Sequence, residues 1–124
     1  MPASLDHTIV FVEDRHASAA YLAEMLGARN PEVIGHFTAV QLDNGITLDF
    51  MNSPGKIAVQ HYAFLIDDAQ FDTAFEKIRT RGQPYWADPY RNRPGQVGEH
   101  NGGRMVYFEE PSGHFLEIRT RPSR

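Results

Sequence analysis

Apolar and β-branched residues run from Leu5 to Val12, followed by Glu13-Asp14 and an Ala- and Leu-rich stretch to Leu26-Gly27. That order predicts a strand and then a helix. Asp14 is the expected N-cap, Ala17, Ala20, Tyr21 and Met25 the expected sheet-facing stripe, and Gly27 the C′ glycine. After Asn30-Pro31 come runs at Val33 to Gln41 and Ile46 to Met51, separated by Asp43-Asn44-Gly45, whose Asn-Gly pair suits the positive φ angles of a tight hairpin. The pattern then restarts. Val59 to Ile66 reads as a strand, Asp67-Asp68 as an N-cap region, and Phe71, Phe75 and Ile78 as the core stripe of a helix ending at Arg81-Gly82. A Pro- and Gly-rich stretch from Pro84 to Gly103 reads as a long functional loop with at most a short edge strand. Arg104 to Phe108 and His114 to Arg119 close the chain as strands joined by Glu109 to Gly113.

The two halves form an internal repeat. His7 to Val12 aligns with His61 to Ile66 at an offset of 54, and Gly45 to Phe50 aligns with Gly113 to Ile118 at an offset of 68. The difference is absorbed by the 84–103 loop. The expected fold class is therefore α+β: one domain over 1–124 built of two βαβββ modules, about 1–55 and about 56–124, each contributing a mixed sheet. A four-stranded module is too small to be stable alone, so two must combine within a chain or across a homodimer.

Composition narrows the chemistry. With 124 residues and no cysteine, the chain folds without a disulfide and excludes thiolate metal sites and a cysteine nucleophile. Its six histidines are the side chains left to offer nitrogen to a metal. Twelve basic against sixteen acidic residues, without a basic run, argue against nucleic acid. No stretch of about 18 apolar residues spans a bilayer and the N-terminus lacks a signal-peptide pattern, so a cytoplasmic protein acting on a small molecule is expected.

The repeat places His7 and His61 at equivalent points of the opening strands, and Asp49 and Glu117 at equivalent points of the closing strands. A single strand histidine is more often an ordinary surface residue; the paired recurrence is what marks these two. Two imidazoles and a carboxylate on one sheet face bind divalent iron, manganese, nickel or zinc and leave positions open for substrate. Glu117 alternates with Leu116 and Ile118, so it stands alone on its face and needs a partner if buried. Asp49 is either a fourth ligand or a solvent-facing carboxylate.

Two βαβββ modules with His7, His61 and Glu117 resemble the vicinal oxygen chelate superfamily, which includes glyoxalase I, bleomycin-resistance proteins, thiol transferases acting on fosfomycin and extradiol dioxygenases. The resemblance implies a cupped sheet around a divalent metal, Fe2+ or Mn2+ favoured over Ni2+ or Zn2+, in a site often shared between subunits of a homodimer. The stretch from Gly98-Glu99-His100 through Val106-Tyr107 and Glu110-Pro111-Ser112-Gly113 to Glu117 resembles the extradiol dioxygenase signature. That likeness implies Glu117 as a metal ligand, Tyr107 as a hydrogen-bond partner for a substrate oxygen, and His100 as the acid–base residue, carried on a mobile glycine-rich loop. The substrate would be a small catechol-like compound with vicinal oxygens.

Two alternatives stand beside this. A glyoxalase-like lyase or isomerase, or a thiol transferase, would share the metal ligands. Against the fosfomycin enzymes, Ile9 stands where they carry threonine, and Ala87-Asp88 follows Trp86 where they carry lysine. A metal-free drug-binding protein would use Tyr85, Trp86 and Tyr90 as aromatic walls, but such proteins generally lack the ligand triad. Arg91, Arg93 and Arg104 are candidates to neutralise an anionic substrate. His114 is read as a sheet-face residue near the site, His36 as a sheet-face residue and His16 as an exposed helix residue.

Overall fold

The computed structural model describes residues 2–124, which divide into two compact units, 2–58 and Val59–Arg124. The first contains β1 (His7–Val12), α1 (Arg15–Leu26), β2 (Glu32–Ile34), β3 (Phe37–Gln41) and β4 (Thr47–Asn52), in a sheet of order β1-β4-β3-β2. β1 and β4 run parallel and the remaining pairs are antiparallel. The α1 termini are as the residues predict: the Asp14 side chain accepts from the His16 and Ala17 amides, and Gly27 at φ 64° returns its N–H to Ala23 and Glu24. The buried stripe is shifted. Ser18, Ala19, Leu22 and Met25 are buried together with Tyr21, whereas Ala17 and Ala20 are exposed, because small alanines carry too little area to decide which face turns inward.

The apolar run from Val33 to Gln41 is broken at Gly35, φ 59°, into two antiparallel strands, which completes a βαβββ unit. The Asp43-Asn44-Gly45 turn differs from a two-residue hairpin. Only Gly45 is left-handed, at φ 87°, while Gly45 N donates to Leu42 O and Leu42 N to Ile46 O. Asn44 instead accepts from the Ile46 amide through its side chain.

The second unit contains β5 (His61–Leu65), α2 (Asp68–Thr80), β6 (Tyr85–Trp86), β7 (Gly98–His100), β8 (Gly103–Glu109) and β9 (Phe115–Arg119). Its sheet runs β5-β9-β8-β6, with β7 also paired to β8. Asp67 and Gln70 form a reciprocal capping box at the start of α2. Phe71 and Ile78 are fully buried, while Phe75 is half-buried and meets Tyr85 edge-on at 5.1 Å. The 84–103 stretch carries two short strands rather than at most one. The left-handed pair Asn101 (φ 52°) and Gly102 (φ 77°) forms the two-residue hairpin joining β7 to β8, so His100 is a strand residue and not part of a mobile loop. Among the described residues, no helix is long and apolar enough to cross a membrane.

The repeat reappears as register. His7 lies opposite Thr47 and Ile9 opposite Asp49 in the first unit; His61 lies opposite Phe115 and Ala63 opposite Glu117 in the second. In both, the histidine sits two residues ahead of the position facing the carboxylate.

Candidate metal centre

In the second unit one sheet face gathers His61, Phe115, Glu117, Arg119, Met105, Tyr107 and Trp86, as strand alternation and the registers require. The opposite face, with Phe64, Val106, Phe108 and Ile118, belongs to the helix side; there Arg104 lies 4.4 Å over Phe71 and pairs with Asp68 and Asp72.

Glu117 reaches its place through a tightly built turn. Glu110, itself buried, accepts from the amides of Ser112 at 2.8 Å and His114 at 3.2 Å, and Gly113 takes φ 94°. Gly113 N donates to Glu110 O, and Glu110 N donates to His114 O. The Glu110-Pro111-Ser112-Gly113 segment thus sets the register of β9. His114 is 1% exposed, accepts from Gln60 N through Nδ1 at 2.9 Å and stands edge-on to Tyr62. It is a structural residue of the helix side, not a site-lining one, because it alternates with Glu117 along the strand.

His61 Nδ1 lies 3.0 Å from Phe115 O. A carbonyl only accepts, so Nδ1 carries a proton, which in the neutral ring leaves Nε2 with its lone pair. Nε2 faces Glu117 Oε1 at 3.1 Å. That separation suits either an imidazolium–carboxylate ion pair or a shared metal ion, since ligands about 2.1 Å from one ion at right angles stand about 3 Å apart. The backbone carbonyl on the second ring nitrogen is the outer partner that metal-binding histidines usually have. His61 and Glu117 therefore fit a divalent metal, and the half-exposed imidazole leaves an approach from solvent.

The other carboxylate oxygen of Glu117 accepts from Arg119 Nη1 at 2.8 Å. Arg119 Nη2 continues to His100 Nδ1 at 2.7 Å, and its Nε donates to Arg121 O at 2.7 Å. Arg119 was not among the sequence candidates. The signal was present, because in Glu117-Ile118-Arg119 the charged residues are two apart and share one face.

Tyr107 pairs with Glu117 across β8 and β9 and stacks on His61 at 5.8 Å. Burial, then the charge and hydrogen bond of Glu117, push its hydroxyl up to about 12. It therefore stays a protonated donor at neutral pH. Arg91, held at φ 59°, lies 4.3 Å over Phe115 and 5.1 Å over Trp86, and pairs with Glu109 at 2.7 Å. Asp88 shapes this segment by accepting from the amides of Tyr90, Asn92 and Arg93. Of the three proposed aromatic walls, Trp86 belongs to the site face, Tyr85 packs on Phe75 and Tyr90 is exposed. Arg93 meets Gln96, and Arg104 is engaged on the helix side.

In the first unit, His7 and Asp49 share the sheet face that carries Ile9, Phe11 and Met51. His7 is exposed and its Nδ1 donates to the Asp6 carboxylate at 2.7 Å; that bond and the Asp6 charge, and more weakly the Asp49 charge, raise its pKa above the ordinary 6.5. Among the described residues, no three His, Asp or Glu side chains come together as a metal set. The pair assembled is His61 with Glu117. His16 is exposed, as expected, and its Nδ1 meets Thr38 Oγ1; His36 is exposed in the turn between β2 and β3, not on a sheet face.

A family model for the Glyoxalase/Bleomycin resistance protein/Dioxygenase superfamily matches residues 4–118. Among solved structures, Oxidase ChaP-H1 is 50% identical with a TM-score of 0.95, covering 98% of this chain and 98% of that one. Oxidase ChaP-H2 matches with the same identity and TM-score over 98% of this chain and 96% of that one. Metallothiol transferase FosB of Shouchella clausii (strain KSM-K16) is 30% identical over 96 residues, 73% of this chain, and the match spans 62% of the relative's length. The chain belongs to the glyoxalase/bleomycin resistance protein/dioxygenase superfamily.

Proposed function

We propose that the protein is a divalent-metal-dependent oxidase of the extradiol dioxygenase type, acting on a small aromatic compound with two vicinal oxygens. The observation that carries this is the pair of acceptors, His61 Nε2 and Glu117 Oε1, 3.1 Å apart on one sheet face with the imidazole tied to Phe115 O. The likeness to two structures named as oxidases at 50% identity supports the oxygen-using branch. His61, Glu117 and His7 are the ligands, with His7 supplied by the same chain or by a second copy in a homodimer; Asp49 is the fourth candidate. When bound, a metal such as Fe2+ supplies adjacent open positions for the vicinal oxygens and for O₂.

The surrounding residues do the rest. Tyr107, with its hydroxyl held protonated, donates to a substrate oxygen. His100 handles a proton or hydrogen bond at the second oxygen. The aromatic edges of Trp86 and Phe115 under Arg91 favour a flat, electron-rich ring. The metallothiol transferase likeness supports a second, lyase- or transferase-type reading on the same ligands, but Ile9 and Ala87-Asp88 lack the polar and cationic groups a phosphonate would need.

Purified protein reloaded with Fe2+, Mn2+, Ni2+ or Zn2+ should hold about one ion per chain, as ligand counting predicts. Fe2+ should support oxygen uptake with catechols, and His61→Ala should abolish both. Mixing the inactive His7→Ala and Glu117→Ala proteins restores activity if copies share the site and leaves it absent if each chain is self-sufficient. Oxygen uptake absent with every catechol, together with isomerase or transferase turnover on Ni2+ or Zn2+, would overturn the oxidase assignment.

A further inference from the structure

Arg119 is 8% exposed, and each of its three nitrogens is committed: Nε to Arg121 O, Nη1 to Glu117 Oε2 and Nη2 to His100 Nδ1. A guanidinium has only donors. His100 Nδ1 must therefore be the acceptor in the 2.7 Å contact, and the imidazole's single proton sits on Nε2. A proton added to Nδ1 would set N–H against N–H beside a fixed positive charge. The alignment is rigid at both ends. His100 closes against Gly103 through the Asn101-Gly102 turn, and Asn101 Nδ2 donates to Pro122 O at 2.9 Å. A Cβ on Gly103 would meet Thr120 Oγ1 at 2.6 Å and Arg121 Cγ at 2.7 Å, so β8 and the chain after β9 are in close contact there.

We propose that Arg119 is a positioning residue that holds His100 as the neutral, Nε2-protonated imidazole, so that His100 serves the site as a hydrogen-bond donor and not as a base. The proposal rests on reading Glu117 as a metal ligand and His100 as a substrate-side residue. It gives His100 a different role from the one the extradiol likeness implies, in which it takes a phenolic proton, because the nitrogen lone pair needed for that accepts from Arg119. One guanidinium thereby orients the carboxylate and sets the tautomer of the histidine with the same rigid fork.

The first measurement needs no activity. In the full-length, nitrogen-15-labelled protein, metal-free and Zn2+-loaded, the long-range proton–nitrogen correlations of the His100 ring should show the Nε2–H tautomer at neutral pH. An Nδ1–H tautomer or an imidazolium overturns the proposal. Arg119→Lys keeps the charge beside Glu117 but cannot fork to both partners, so it should fold and lose the fixed tautomer; an unchanged pattern also overturns it. In turnover, Arg119→Lys should lower kcat about 10–100-fold, the usual scale for an outer partner of a metal ligand, with KM little changed. His100→Gln keeps an N–H donor without a base and should retain much more activity than His100→Ala; equal loss in the two refutes the donor role. If wild-type protein shows no oxygen uptake at all, the oxidase assignment fails while the ring spectra still decide the tautomer.

Discussion

Replacing Arg119 by methionine tests whether the buried charge network is as tightly coupled as its geometry indicates. Glu117 is 4% exposed and Arg119 8%, with Nη1 and Oε2 2.8 Å apart. Methionine fills much of the arginine's volume, so the change removes the charge and leaves little cavity. It strands the Glu117 carboxylate in a poorly hydrated place, with only the half-exposed His61 and the Tyr107 hydroxyl facing it. Losing one partner of a buried pair costs about 3–5 kcal/mol. For a chain of this size that is roughly 12–20 °C in Tm, at about 4 °C per kcal/mol. The double variant Glu117→Gln/Arg119→Met removes both charges and should recover most of the loss, falling within about 2 kcal/mol of wild type. Urea unfolding of chelator-treated protein, followed by circular dichroism, measures all four corners of the cycle. A cost for Arg119→Met below about 1 kcal/mol, or a double variant that simply sums the singles, would mean that Glu117 is solvated and that the pairing carries no weight.

Two further outcomes follow from the loop beside the site. Burial works against ionising Asp88, but hydrogen bonds from Asn92, Arg93 and Tyr90 outweigh it and hold its carboxyl below the ordinary 3.8. A carboxyl lowered in the folded state contributes stability above its unfolded pKa and loses it as pH falls through the folded value. Measured against the intrinsic exchange rate at each pH, the protection of the Asn92 and Arg93 amides should therefore hold at pH 5 and fall below pH 3.8, whereas Asp88→Ala should lower it at every pH; unchanged protection in that variant would remove Asp88 as the organiser of the loop. Gly98→Ala should destabilise by about 1–3 kcal/mol and lower turnover, since a Cβ there would stand 2.6 Å from Ala87 O and push β7, with His100, off β8; a neutral melt would contradict the tight packing.

Local patterns were readable where they involve neighbours in the chain. Asp14 and Asp67 open their helices through their side chains and Gly27 closes α1 through its left-handed backbone, as predicted, and the His7/His61 and Asp49/Glu117 correspondence in sequence becomes identical register in the two sheets. Strands of two and three residues were not readable. β6 and β7 have no periodicity of their own and exist because β8 offers them an edge. The Asn-Gly signal was real but was read at Asn44-Gly45, whereas the two-residue left-handed turn is Asn101-Gly102, because Asn44 could spend its side chain on the Ile46 amide. His114 was misjudged for a similar reason. Its position beside a strand is evident, but its burial against Tyr62 depends on β5, which lies more than fifty residues earlier.

Alternation, capping and repetition act over a few residues, so the sequence alone determined the order of the longer elements, the paired histidines, and the paired carboxylates Asp49 and Glu117, each set between apolar strand residues. Strand registry is a long-range property set by turns and packing. It decided that Glu117 would meet His61 on one oxygen and Arg119 on the other, that Tyr107 would lie opposite it, and that His100 would be held by Arg119. The ring contacts of His61 and His100 were decided there too, because their partners, Phe115 O and Arg119 Nη2, are ones that no spacing in the chain reveals.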